Sequence, residues 1–348
     1  MLLTSCEGAL DDVLGEWSRP TPGNNTNTDK SSDDSAIEYV EYAVSGTTAT
    51  PTTKTVSEFT EWTGTVAPGN ITGTYVVKGT ATCTGDLTLT GDVNIILCDG
   101  ASMTVTGKIL ADDGSWTYPY SLKIYGQSAG TGELIVNTSD GEHGIEGKEI
   151  QIHGGTITAT NTEATVGQVL FAEQNLYIYG GNVTANSTSG QSIMVNGGTF
   201  DFYNATLNAT TTSGYSNISN TGGLIKINSG NVTATGGTGD SIDGHDITIS
   251  GGTVSATAGT GAAQVINAGN DMVIGTGITS ITLTADQTTG DRNDNWINAF
   301  NTITLGTSGA IAGATWGAAT AVTDGNTVSS AGLKYSRSDK VWTIVKDE

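Results

Sequence analysis

Two kinds of side chain in this chain have the types and spacing to do chemistry. Asp140, Glu142 and Glu146 crowd one short stretch, and Asp240, Asp243 and Asp246 crowd another beside His245. Three carboxylates at one corner of a fold are a donor set for Ca²⁺, which takes about six to eight oxygens at roughly 2.3–2.6 Å, backbone carbonyls and water supplying the rest. The alternative is plain: carboxylates in turns on an acidic surface, solvated and idle. Asp291 and Asp294 form a sparser third set. The second kind is aromatic. Trp116, Tyr118 and Tyr120 stand together in DDGSWTYPY beside Asp112 and Asp113. Exposed rings are the surfaces on which sugars stack, although the same rings could pack beneath their own loop. Tyr125, Tyr177, Tyr179 and Tyr203 add a further set, with Tyr179 and Tyr203 placed to stack as a side platform.

Catalytic chemistry has little to stand on. The two carboxylate clusters lie about four repeats apart, roughly 19 Å at ~4.8 Å per rung, whereas the paired acids of a glycosidase sit ~5–9.5 Å apart. Elimination from a uronate needs a basic residue beside groups that neutralise the carboxyl. Lys123, Lys148, Lys226 and Arg292 are the basic residues of the regular region, and none sits one repeat from an acidic cluster on a matching strand. His143, His153 and His245 fall in turns and read as solvated. No Ser/His/Asp or Cys/His arrangement, phosphate loop or zinc spacing is present.

The elements that must position these groups are very short strands. Glu142 to Thr160, EHGIEGKEIQIHGGTITAT, reads as three of them separated by tight turns, with Ile145, Ile150, Ile152, Ile157 and Ala159 on one side. The sentence recurs down the chain. Second-strand anchors fall at Ile150, Leu176, Phe200, Ile225, Ile247, Met272 and Ile303, and first-strand anchors at Ile145, Phe171, Val195, Ile218, Ile242, Ile266 and Ile297. Both series advance by about 22–26 residues, with one shared longer step near Asp286–Asn295, which is the arithmetic of a parallel β-helix. The residue after each first-strand anchor gives Glu146, Ala172, Asn196, Ser219, Asp243, Asn267 and Asn298, a largely polar corner row. It reads as a turn ladder or as a row spaced to follow a polysaccharide or hold a cation. A single coil cannot bury enough apolar surface to offset the ordering of its backbone, so the coils form one indivisible rod.

Composition agrees. The 348 residues carry a formal net charge of -22, and the 49 glycines mark a chain rich in turns. An acidic chain without a basic cluster argues against nucleic acid and anionic membrane surfaces. No apolar run approaches the ~18 residues needed to span a bilayer. Of the three cysteines, Cys6 closes Leu3-Thr4-Ser5-Cys6, which looks like a bacterial lipobox, and residues 7–34 have the composition of a tether. Cys83 and Cys98 are read either as a bridge between coils or as two buried thiols. The expected organisation is anchor and linker over 1–35, an N-terminal cap over 36–72, the solenoid over 73–309 with tighter first coils, and a C-terminal cap over 310–348 closed by a hairpin of Leu333–Tyr335 and Val341–Val345.

The coils SDGEHGIEGKEIQIHGGTITAT and GDSIDGHDITISGGTVSAT resemble the calcium-dependent carbohydrate-binding β-helix family. GDVNIILCDGASMTVTG, SLKIYGQSAGTGELIV and CEGALDDVLGEW look like segments of surface lipoproteins of gut Bacteroidetes. The resemblance implies a pectate-lyase-like, right-handed parallel β-helix that binds polysaccharide without cleaving it, with Ca²⁺ at the Glu146 and Asp243 positions. Between those coils the acids become Asn or Ser, which interrupts any continuous row of metal sites. The expectation is therefore an all-β, right-handed parallel β-helix with three strands per coil, acting as a monomeric, lipid-anchored, non-catalytic glycan-binding protein of the cell surface, with Trp116, Tyr118, Tyr120, Tyr179 and Tyr203 as ligand contacts. The competing expectations are a polysaccharide lyase or glycoside hydrolase on the same fold, and a structural or adhesive rod.

Overall fold

The computed structural model describes residues 36–347 apart from 112–117, 140, 142, 163–166, 260–263, 286–296, 307–310, 313–314, 317–326, 331 and 339–340. Trp116, Asp140, Glu142, Asp291, Asp294 and Cys6 lie outside the described residues. Every regular element among the described residues is a strand, and most pair in parallel with the strand one coil before and one coil after. This is a parallel β-solenoid.

The second strand position is the most regular. Ile150, Leu176, Phe200, Ile225, Ile247, Met272 and Ile303 are partners rung by rung, as the repeat predicts. The third strand position stacks Ala159, Ala185, Ala209, Ala234 and Ala256 in one fully buried column. The column continues with Val136 before Ala159 and Leu283 after Ala256.

The first strand position departs from expectation at two rungs. Ile145 pairs with Leu170, Leu170 with Ile193 and Ile193 with Ile218, so the anchors read at Phe171 and Val195 are corrected to Leu170 and Ile193. The cause is local. Leu170-Phe171 and Ile193-Met194-Val195 are unbroken apolar runs, so alternation cannot say which member points inward. Phe171 faces out and is nonetheless 6% exposed. The His143 ring stacks on it at 4.3 Å and Tyr118 meets it edge-on at 5.0 Å. The polar row therefore loses Ala172 and Asn196 and contains Phe171 and Met194 between Glu146 and Ser219.

Three turns between second and third strands, at Gly154-Gly155, Gly180-Gly181 and Gly251-Gly252, carry paired glycines for a steric reason. Gly181 has φ +85°, and a Cβ there would stand 2.4 Å from the Gly155 carbonyl oxygen of the preceding coil. Only glycine accepts both the left-handed backbone and the contact. The corners between first and second strands are looser: the register slips between Gly147 and Glu149 and again between Asn220 and Leu224. The strands on both sides of each slip keep their pairing.

The ends are built differently from the middle. An antiparallel hairpin, β1 (Ile37–Ser45) and β2 (Thr48–Val56), forms its own two-stranded sheet. It lies against the flank of the rod, where Tyr39 meets Tyr125 and Tyr42 meets His153. The parallel ladder starts inside the stretch 36–72, with β3 (Thr60–Val66) pairing Thr60 to Tyr75 of β4 (Gly69–Thr84). Trp62, stacked on Tyr75 at 4.2 Å and 5% exposed, closes the core at that end. At the other end Leu333–Ser338 and Val341–Lys346 form an antiparallel hairpin whose second strand pairs with Ser280–Thr284, burying Trp342 against the last coils. Cys83 and Cys98 are both free thiols, and Cys83 is a core residue.

Candidate functional site

The outward slot after each second-strand anchor carries Gln151, Tyr177, Asp201 and Lys226 on four successive coils, each in register with the next. Alternation dictates this. Leu176 and Ile178 enter the core, as do Phe200 and Phe202 and Ile225 and Ile227, so the residue between each pair must face out. At ~4.8 Å per rung, neighbouring side chains touch along the rod.

Tyr177, on the strand Leu170–Ile178, and Tyr179, just past its end, hold their rings parallel to within 6°, with centroids 5.7 Å apart. Tyr203 follows Tyr179 one coil on, also at 5.7 Å. Burial raises the phenol pKa of all three, that of Tyr203 to about 12, and the negative charge of Asp201 adds to the rise in each. That carboxylate thus stands among three hydroxyl-bearing rings. Its side chain is 13% exposed, with the Lys226 Nζ 3.9 Å from Oδ1, too far for a hydrogen bond. Oδ1 is buried without a protein hydrogen-bond partner. Burial pushes the Asp201 carboxyl pKa up, and Lys226 draws it partly back. A buried acceptor left without a hydrogen bond costs roughly 1–3 kcal/mol, and the neighbouring Lys226 charge offsets part of that cost.

Glu149, beside this strip, is committed already. Its Oε1 accepts from Gln151 Nε2 at 2.6 Å and its Oε2 from Asn175 Nδ2 at 3.4 Å. Gln151 continues the chain to His153, whose Nε2 lies 3.1 Å from Gln151 Oε1. His153 is 3% exposed, not the solvated turn histidine expected from the sequence. It is sandwiched between Tyr125 at 4.8 Å and Tyr179 at 4.8 Å, and burial followed by the nearby Lys123 charge lowers its pKa to about 4. The β1–β2 hairpin seals this side of the strip: the Tyr203 hydroxyl donates to the Gly46 carbonyl at 3.4 Å and Asn204 Nδ2 donates to the Ala49 carbonyl at 2.7 Å. Tyr203, 3% exposed, is therefore packed under the hairpin, while Tyr177 and Tyr179 keep part of their surface.

The other expected contacts are dispersed. Tyr118 leans over Phe171 and Tyr120 packs against the core, so the described members of that trio do not form one platform. The acidic corner is occupied with structural work. Asp240 Oδ1 accepts from the Gln264 N–H at 2.8 Å. Asp243 accepts from Asn267 Nδ2 at 3.0 Å and Ser216 Oγ at 3.1 Å. Asp246 accepts from Asn270 Nδ2 at 2.9 Å and the Asp271 N–H at 3.1 Å, with His245 Nδ1 at 3.0 Å from its other oxygen. Each acid ties its own coil to a neighbour. Ca²⁺ needs several oxygens turned to one point, and among the described residues no three His, Cys, Asp or Glu side chains converge in that way. Glu146 is 3% exposed, accepts from the Ala111 N–H at 3.0 Å and lies 4.0 Å from His143 Nε2.

Sequence reasoning missed Asp201. The signal was there: the residue after Phe200 occupies the slot that Tyr177 and Lys226 occupy on either side.

No family model, curated protein or solved structure matches this chain.

Proposed function

We propose that this protein binds polysaccharide without cleaving it, along the outer face of its second strands, from the cell surface. The observation that carries the reading is the parallel, half-buried pair Tyr177 and Tyr179 beside the Asp201 carboxylate, whose side chain is 13% exposed. Parallel rings accept the apolar faces of sugars, and a polar group at their edge accepts a hydroxyl. The rung spacing of ~4.8 Å lets an extended polymer meet equivalent positions on several coils. The absence of cleavage is supported by Glu149, whose oxygens are held by Gln151 and Asn175 and are not free to serve as partner to Asp201 in acid–base work. Attachment of a lipid at Cys6, suggested by the Leu3–Cys6 motif, belongs to the same proposal.

Affinity electrophoresis of the full chain through gels containing soluble mixed-linkage β-glucan, xyloglucan or galactomannan tests the reading. Retardation by at least one polymer is expected, and loss of it in a Tyr177→Ala/Tyr179→Ala variant that still unfolds in one cooperative thermal transition. If none of these polymers slows the wild-type chain, the structural or adhesive rod takes the place of the glycan reading.

A further inference from the structure

We propose that the outward face of the third strands is the contact between two copies of this chain, packed side by side about a two-fold axis, in place of the monomer expected from the sequence. The inference goes beyond the glycan reading and uses a different side of the rod.

Three observations carry it. The first is register. From residues 80–84 to residues 253–257, the third strands of eight successive coils pair residue for residue without a slip, so their outward side chains form three straight columns. Thr158, Thr184, Asn208, Thr233 and Ser255 run down the middle one. Rungs repeating every ~4.8 Å fit between the rungs of an identical face, the arrangement in which paired sheets interdigitate about 10 Å apart. Threonine suits that packing: its branched Cβ leaves little rotamer freedom to lose, and it offers a methyl group beside the hydroxyl.

The second is charge. Every outward residue of this face is Thr, Ser or Asn except Ile135 and Glu133, and Glu133 stands in a marginal column. The chain carries 35 acidic and 13 basic residues, and its second strands present Lys123, Asp201 and Lys226 outward. Strand propensity favours Thr on any exposed strand, but it does not keep charge off one face alone. Two copies of net charge -22 repel each other, and an uncharged face is where that repulsion is least. The third is area. Eight rungs of five residues make a face about 40 Å by 17 Å, on the order of 700 Å², close to the ~800 Å² per partner of a stable interface. Each outward residue on it is half-buried or exposed, so the face is open to a partner.

Sedimentation velocity of the full chain between ~1 and ~200 μM, at ~0.05 M and ~0.5 M salt, tests the proposal. A reversible monomer–dimer equilibrium is expected, shifting toward dimer as salt screens the like charges. Thr184→Glu/Thr233→Glu sets a charge pair in the middle column of both copies and is expected to weaken the dimer at least about tenfold. Asn94→Glu/Thr248→Glu adds the same charge to the second-strand face and is expected to leave the dimer nearly unchanged. One cooperative thermal transition is the folding control for both variants. A wild-type chain that stays monomeric throughout that range in both salts overturns the proposal, whether or not the variants fold. A dimer left intact by a folded Thr184→Glu/Thr233→Glu overturns the assignment to this face. A monomeric wild type whose retardation in polysaccharide gels is lost in that variant gives the face to a glycan instead and also overturns it.

Discussion

The backbone N–H of Tyr42 donates a hydrogen bond to Nδ1 of His153 at 3.0 Å, joining residues 111 positions apart. The contact fixes the tautomer: Nδ1 accepts, so Nε2 carries the proton and donates to Gln151. The N-terminal hairpin and the aromatic ladder are thus locked together through a histidine that must be neutral.

Protonation of His153 opposes this lock. Its pKa in the folded chain is about 4 against an ordinary 6.5, so the folded state binds this proton less readily than the unfolded one. The stabilisation is complete above pH 6.5, is lost as pH falls toward 4, and reaches about 3 kcal/mol. Thermal unfolding followed from pH 7.5 to pH 4 is expected to show a steeper fall in midpoint for the wild type than for His153→Gln. Equal slopes for the two proteins would remove the argument.

Asp240 carries the opposite sign. Burial, with Asp243 adding to it and the Gln264 N–H opposing, raises its pKa to about 6 from 3.8. Its contribution is present below pH 3.8 and is lost as pH rises through 6. Asp240→Asn keeps the oxygen that accepts from Gln264 and discards the charge. At pH 7.5 it is expected to stabilise the fold by about 1 kcal/mol after allowance for solvent screening, with the gain vanishing near pH 4. Chemical denaturation at the two pH values reads it directly, and a loss of stability at pH 7.5 contradicts it.

Gly181→Ala is expected to destabilise the solenoid by roughly 2–4 kcal/mol, because the left-handed backbone and the 2.4 Å approach to the Gly155 carbonyl penalise the same methyl group. Gly130→Ala is the control, with φ +66° and nothing near the added carbon. It should cost about 1 kcal/mol. A denaturation midpoint for Gly181→Ala no lower than the control's would show that the coils slide apart cheaply.

Tyr42→Ala removes the ring that lies over Gly180 and faces His153. Limited proteolysis is expected to cut the variant at the Gly46–Thr47 turn many times faster than the wild type, leaving residues of the solenoid protected. Coincident cleavage of hairpin and solenoid would mean that they unfold as one unit.

Much of this architecture was legible in the sequence, and the failures have local causes. All seven second-strand anchors are true partners, and at Ile150, Phe200, Ile247 and Ile303 a single apolar residue flanked by polar ones leaves alternation one solution. The first strands failed at Leu170 and Ile193, where consecutive apolar residues offer two solutions; beside Leu170, rings from other segments, His143 and Tyr118, cover the outward Phe171. His153 looked like a turn residue since nothing local reveals that β1, more than a hundred residues earlier, returns to cover it. At the acidic corner, composition counts the carboxylates and cannot count the Asn and backbone donors that the adjacent coils bring to them.

The placement of the hairpin on the flank has a mechanical consequence. Tension applied through residue 36 reaches Ile37 first, and Ile37 pairs with Val56 at the open end of the β1–β2 sheet. Such a pull opens the pairs one after another, in the manner of a zipper, and each step breaks only a bond or two. The stacked coils, whose ladder begins at Thr60, bear load only when the hairpin has come apart. Between them these two elements make a soft extensible link in series with a stiff rod, so a tug at the N-terminus is absorbed before it reaches Tyr177 and Asp201.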